Sequence, residues 1–382
     1  MHSAISELSD TYAALIEAAA TLVDAFGGPP ELVFIFTTPH HAASWSRLPA
    51  MAREILPNTQ VVGCSGAGVI GDGHEVEQRC ALTLFGLRLA GVEASSHHLD
   101  PSDLPAPDSE RWLALLPGSP PALTIVLADP LSTDVAHVLR GIEAAWPGSP
   151  VVGGLTSGSL VQGGHALFCG GRCHRIGAVV VALRGPLDVE TIVAQACRPI
   201  GDPMLVTRCA GRVIQALGDR APVEVLRELY ADLSVRDQDL FRHALFAGIE
   251  MRGDHEEFRQ GDFAIRRITG MDPNDGAISV AVEVQPWQVV QFHVRDELTA
   301  AEDLKTQLAA VEQSPDAALM FTCTGRGLHL YGRPDHDTDL VRQRFGDLAI
   351  GGLFCAGEIG PVGDASFLHG STTMLALLRA VS

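Results

Sequence analysis

The chain has 382 residues, 46% hydrophobic and 19% charged, enough apolar matter for a substantial core and two or three domains, which excludes a disordered tail. The net charge of −19 disfavours nucleic acid and anionic membranes as partners. Eight scattered cysteines, a start ("MHSAISELSD") without a basic or apolar leader, and no apolar run near the ~20 residues of a membrane span predict reduced thiols and a cytoplasmic protein.

Residues 1–24 are expected as one short helix before the first domain. Then a pattern begins that occurs three times. "LVFIF" (32–36) leads through a helical stretch to "VVGCSGAGVI" (61–70). "LTIVL" (123–127) leads through "STDVAHVLRGIEAAWPGSP" to "VVGGLTSGSL" (151–160). "ALMFTCTGRG" (318–327) leads through "HDTDLVRQRFGDL" to "IGGLFCAGEIG" (350–360). Similar lengths and the same order of parts predict one β-α-β unit used three times. Val135, Val138, Leu139 and Ile142 fall on one helical face, as a helix packed on a sheet requires. After Gly68 and after Gly158 the sequence turns β-rich, with a turn at 71–73 in the first case and glycine-marked hairpin turns in the second.

Between the second and third units the pattern stops, which puts a boundary near 198–201. Here "RPIGDPMLVT" and "GRVIQALGDRAPVEVLRELY" predict strand, turn, strand and helix. Residues 277–296 suggest a long β-hairpin turning near Gln285–Pro286, and "ELTAAEDLKTQLAAVEQS" a helix. The expected domains are therefore 25–198, holding two repeats, and 199–382. The expected class is α+β: repeated β-α-β-β units forming mixed sheets flanked by helices, with two units packing into αββα layers.

The glycine stretches resemble phosphate loops, but a dinucleotide turn needs a helix directly after its glycines, and here strands follow. No Gly-Lys-Ser/Thr occurs, so a Walker A loop is excluded. Cys64 and Cys355 are candidate nucleophiles without a visible acid–base set. Cys169 and Cys173 before His174 make at most half a zinc site, and no metal site is assigned. Arg326 of "CTGRG" and Glu358 of "CAGEIGP" follow two strands of the third unit. If those strands are neighbours, Arg326 could grip a carboxylate and Glu358 an ammonium, or the two could neutralise each other. His369 and Thr372 could line the same place.

"VVGCSGAGVI", "RCALTLFGL", "ADP" and "VVGGLTSGS" together resemble the N-terminal half of FIST domains. "RPIGDPMLVTRCAGRVIQALGDRAPVEVL", "LMFTCTGRG", "GGLFCAGEIGP" and "HGSTTMLALL" resemble the C-terminal half, also found in F-box proteins. The resemblance covers about residues 25–380. It implies a sensory module that binds a small ligand, such as an amino acid or small carboxylate. No kinase, cyclase, chemoreceptor or F-box segment is visible, so output is expected through a separate signalling protein. No cofactor is read from the residues, although some bacterial members resemble haem sensors of nitric oxide. The candidate ligand-binding residues are Gly63, Cys64, Ser65, Gly153, Gly154, Thr156, Cys323, Gly325, Arg326, Gly357, Glu358, His369 and Thr372.

Overall fold

The structure, a computed structural model, describes residues 1–107, 109–251 and 258–381. It divides into two compact units. The first holds Met1–Val193, Lys305–Leu368 and Thr372–Ser382, and the second Ala194–Leu304 with His369–Ser371.

In the first unit the threefold repetition is physical. Each repeat contributes a parallel pair of strands: Leu32–Thr37 with Gln60–Ser65, Leu123–Ala128 with Val151–Leu155, and Ala317–Cys323 with Ala349–Cys355. In each, an antiparallel strand flanks the first member: Leu82–Leu87, Ala178–Arg184 and Thr372–Ala380. The hairpin that follows the second member goes elsewhere. Gly68–Gly71 and His74–Glu77, from the first repeat, extend the third repeat's sheet. Leu167–Cys169 and Arg172–His174, from the second, extend the first. Glu358–Val362, from the third, extends the second. The result is three six-stranded mixed sheets linked by a cyclic exchange of hairpins.

One glycine marks the register of every parallel pair. Gly63 lies beside Ile35, Gly153 beside Val126 and Gly352 beside Met320. A Cβ at these positions would stand 1.9, 1.9 and 1.8 Å from the neighbouring residue's carbonyl oxygen. Only glycine lets the strands approach so closely.

Alternation along the strands sorts side chains between two faces. Phe34, Phe36, Ile125, Leu127, Leu319 and Phe321 point inward to one apolar core drawn from all three sheets. Val33 and Ile35 point outward against Leu15, Ala19 and Leu22 of the helix Thr11–Phe26 and Leu48 and Ala52 of the helix Leu48–Ile55. Val126 and Ala128 meet Val138 and Ile142 of the helix Val135–Ala145. The α+β class and the mixed sheets with flanking helices are as the sequence predicts. A third sheet joins the two that an αββα stack would contain.

Residues 1–24 do not form one helix. His2–Ser6 is a strand paired antiparallel with Leu82–Gly86, and the helix begins only at Thr11, capped by Asp10 accepting from the Ala13 amide. So short a strand is selected by its sheet partner, which local sequence cannot show. The helix at 297–310 is found.

The second unit is a closed six-stranded barrel. Its core holds Ile200, Val206, Ile214, Phe292 and Val294, with Val225 and Leu226 of the helix Pro222–Asp232 against it. The hairpin expected over 277–296 is absent. Ile278–Val280 pairs with Val213–Ile214 and Ile268–Met271, whereas Val289–Arg295 pairs with Cys197–Leu205 and Leu245–Ile249. Barrel closure gives both edges of each strand to other partners.

Candidate functional site

Where the parallel strands end, the three glycine-rich tips meet. Ser157 lies between them: its Oγ accepts from the Ala67 amide at 2.7 Å and donates to the Phe354 carbonyl. The Leu155 amide donates to the Gly357 carbonyl at 2.8 Å, and the Ala356 amide to the Leu155 carbonyl at 3.1 Å. Backbone groups from all three repeats thus join at one apex. Directly below it lies the apolar core.

The apex carries a layer of buried polar side chains. In the second repeat the register of Ala128 with Leu155 brings Asp129 and Thr156 next to each other. Asp129 accepts from His165 Nδ1 at 2.7 Å and from Ser132 Oγ at 2.5 Å. Both members of the Asp129–His165 pair are 1% exposed. A carboxylate facing Nδ1 fixes the proton there, which leaves Nε2 as an acceptor in the neutral ring. His165 Nε2 and Thr156 Oγ1 are buried with no hydrogen-bond partner among the described residues.

In the third repeat Cys323 and Cys355 occupy the corresponding places, directly in register. Cys323 is half-buried and Cys355 wholly buried. Burial, then the nearby Glu358, Cys64 and Cys323, push the Cys355 thiol well above its ordinary range. Burial alone does the same to Cys64. Thiols so held are poor nucleophiles. Glu358, on the exchanged strand, sits opposite Gly154 and accepts from the Thr372 amide at 3.2 Å and its Oγ1 at 2.6 Å. A Cβ at Gly154 would lie 2.2 Å from Cys355 Sγ, so this glycine provides clearance for the thiol.

Arg326 is fully buried, and its charge is already used. Nε and Nη2 donate to the two Asp337 oxygens at 2.7 and 3.0 Å, and Nη2 also reaches the Tyr331 hydroxyl at 2.8 Å. Thr373 donates to Asp337 at 2.8 Å and pairs with Thr322 at 2.8 Å. Burial opposes the Asp337 charge, but Arg326 and the hydrogen bonds from His336, Arg326 and Thr373 outweigh it and hold the carboxyl well below its usual range. The two third-repeat strands are neighbours, as the sequence reading supposed, but Arg326 is bound to Asp337 and Glu358 to Thr372.

The exchanged first-repeat hairpin completes this region. Glu75 accepts from the Thr338 amide and Glu77 from the Leu328 amide, both at 2.8 Å, so its carboxylates cap the third repeat's helices His336–Phe345 and Gly327–Tyr331. Burial, with the negative Asp337 beside it, pushes Glu75 up to about 8.

Of the residues singled out from sequence, Cys64, Gly154, Thr156, Cys323, Gly357, Glu358 and Thr372 come to the apex. Ser65 is also there, its Oγ accepting from the Ala166 amide at 3.0 Å. Gly325 donates its amide to Cys323 Sγ at 3.4 Å. Gly63 and Gly153 lie inside strands, against carbonyl groups. His369 is buried and belongs to the second unit. Sequence reasoning missed Asp129, Ser157, His165 and Asp337. Aligning "TTP", "ADP" and "TCT" behind their strands would have pointed to Asp129.

The N-terminal part, residues 31–220, matches the model of the FIST N domain, and residues 222–361 match that of the FIST C domain. The chain belongs to the FIST family. FIST domains are associated with sensory signal transduction and small-ligand binding. Uncharacterized protein Rv0628c of Mycobacterium tuberculosis is 34% identical over 98% of both chains, and uncharacterized protein Mb0898c of Mycobacterium bovis is 32% identical over 96% of both. Among solved structures, a cyanuric acid hydrolase from A. caulinodans covers 100% of this FIST chain and 98% of its own, at 10% identity and a TM-score of 0.39. That likeness is too remote to support an argument. Among the described residues no helix is long and apolar enough to cross a membrane, and no three His, Cys, Asp or Glu side chains are placed to hold a metal.

Proposed function

We propose that this FIST protein is a sensory module that binds a small amino-acid-like ligand at the apex of its three repeats and signals through a separate protein. The observation that carries the reading is the convergence: three tips tied through Ser157, over a layer holding Asp129, His165, Thr156, Glu358 and Thr372. The buried acids of this layer suit the ammonium of such a ligand. A ligand there would touch all three repeats and favour one arrangement of the tips, which a partner reads. The eight free thiols suit a reducing compartment such as the cytoplasm.

Haem is the second reading. His165 has one feature of a ligating histidine, because a carboxylate holds its Nδ1. Against it stand the burial of His165 and the packing of Phe34, Phe36, Leu127 and Phe321 in the apolar core.

A thermal-shift screen of amino acids, small amines and small carboxylates, followed by calorimetry, tests the first reading. We expect at least one amino acid to raise the melting temperature with saturable heat. A folded protein that responds to no member of the panel refutes it. A Soret band on adding haemin would favour the second reading instead.

A further inference from the structure

We infer that the apex reads the amine end of its ligand, and that His165 Nε2 and Thr156 Oγ1 are the atoms that receive it; this rests on the ligand-binding reading above. Buried polar atoms are nearly always hydrogen-bonded, so two without protein partners in one layer need an explanation. Both flank Asp129: His165 through a 2.7 Å bond to its carboxylate, and Thr156 as its neighbour across the parallel pair.

The chemistry of these atoms is selective. Because Nδ1 keeps its proton and donates it to Asp129, Nε2 of the neutral ring offers a lone pair, and its partner must be a donor. The Thr156 hydroxyl can accept as well. Glu358 lies opposite Gly154, two residues before Thr156, and is itself buried. Two buried acids, Asp129 and Glu358, therefore bias the layer towards a cation. A primary ammonium, with three donors and one positive charge, matches this set. A bare carboxylate would meet acceptors and negative charge.

The experiment uses the full chain with ethylamine, glycine and acetate as probes, read by calorimetry and by long-range proton–nitrogen NMR of the histidine rings. His165→Gln assigns the resonance. Thr156→Val, which keeps the shape and removes the hydroxyl, tests the second contact without disturbing the ion pair. We expect ethylamine and glycine to bind, acetate not to bind, the His165 Nε2 signal to be that of an unprotonated nitrogen that moves on adding amine, and Thr156→Val to weaken the amine about tenfold. If acetate binds and ethylamine does not, this inference falls while the ligand-binding reading survives. Amine binding that leaves Nε2 and the Thr156→Val affinity unchanged also overturns it. If none of the three binds and the amino-acid panel is silent too, both fall together.

Discussion

Ser157→Ala probes the junction on which the functional reading depends. The Ser157 side chain is nearly buried, and its hydroxyl joins the Ala67 amide of the first repeat to the Phe354 carbonyl of the third. Alanine removes both bonds without adding bulk. The Ala67 amide then loses an acceptor at 2.7 Å, which costs about 1–3 kcal/mol depending on how well water replaces it. Losing the bond to Phe354, whose residue is 1% exposed, adds about 1 kcal/mol. The total is about 2–4 kcal/mol. At about 2–4 °C per kcal/mol for a domain of this order, the melting temperature should fall by roughly 4–16 °C. Hydrogen exchange supplies the local readout, because the Ala67 amide should lose protection more than amides at the far ends of the same strands. If the Ala67 exchange rate and the melting temperature both stay as in the parent, the tips are not joined through Ser157, and the argument for one shared apex collapses.

Gly153→Ala should destabilise far more than Gly163→Ala. Both residues have positive φ, but a Cβ at Gly153 would stand 1.9 Å from the Val126 carbonyl oxygen, while Gly163 has nothing within 4 Å. The Gly163 change costs about 1–2 kcal/mol from backbone strain alone, and the clash adds about 3 kcal/mol or more at Gly153; equal denaturant midpoints would contradict this. Glu75 binds a proton more tightly folded than unfolded, so its contribution to stability is fully present below the ordinary carboxyl range and is lost as pH rises towards about 8. Melting temperatures between pH 5.5 and 8.5 should fall more steeply for the parent than for Glu75→Gln, and parallel curves would count against that buried carboxyl. Arg326→Ala should cost about 3–5 kcal/mol, since it leaves Asp337 buried without its cation; chemical denaturation that shows less than 1 kcal/mol would mean that the pair is not buried. Under native conditions Cys64 and Cys355 should resist iodoacetamide, as mass spectrometry of the labelled peptides can establish, and rapid labelling of either would show that the core below the apex is open.

The local pattern carried a great deal. Apolar runs such as "LVFIF" and "LTIVL", each followed by a helix and a glycine-containing strand, point to one β-α-β unit used three times. Gly63 and Gly153 stand out in the sequence but their role does not: read there as ligand-binding, they lie inside strands, where the neighbouring strand's carbonyl leaves no room for a side chain. The α+β class and the helix at 297–310 follow from the same short-range rules.

What lay beyond the sequence is everything that depends on which strand lies beside which. The exchange of hairpins moves Glu75 and Glu77 onto helices some 250 residues away, and no periodicity records that choice. The strand His2–Ser6 exists because Leu82–Gly86 offers it an edge, and the two halves of 277–296 part because the barrel closes between other partners. Charge is decided in the same way. Arg326 could be read from sequence as a reaching cation, but folding gives it Asp337, and the apex instead presents His165 Nε2 and Thr156 Oγ1.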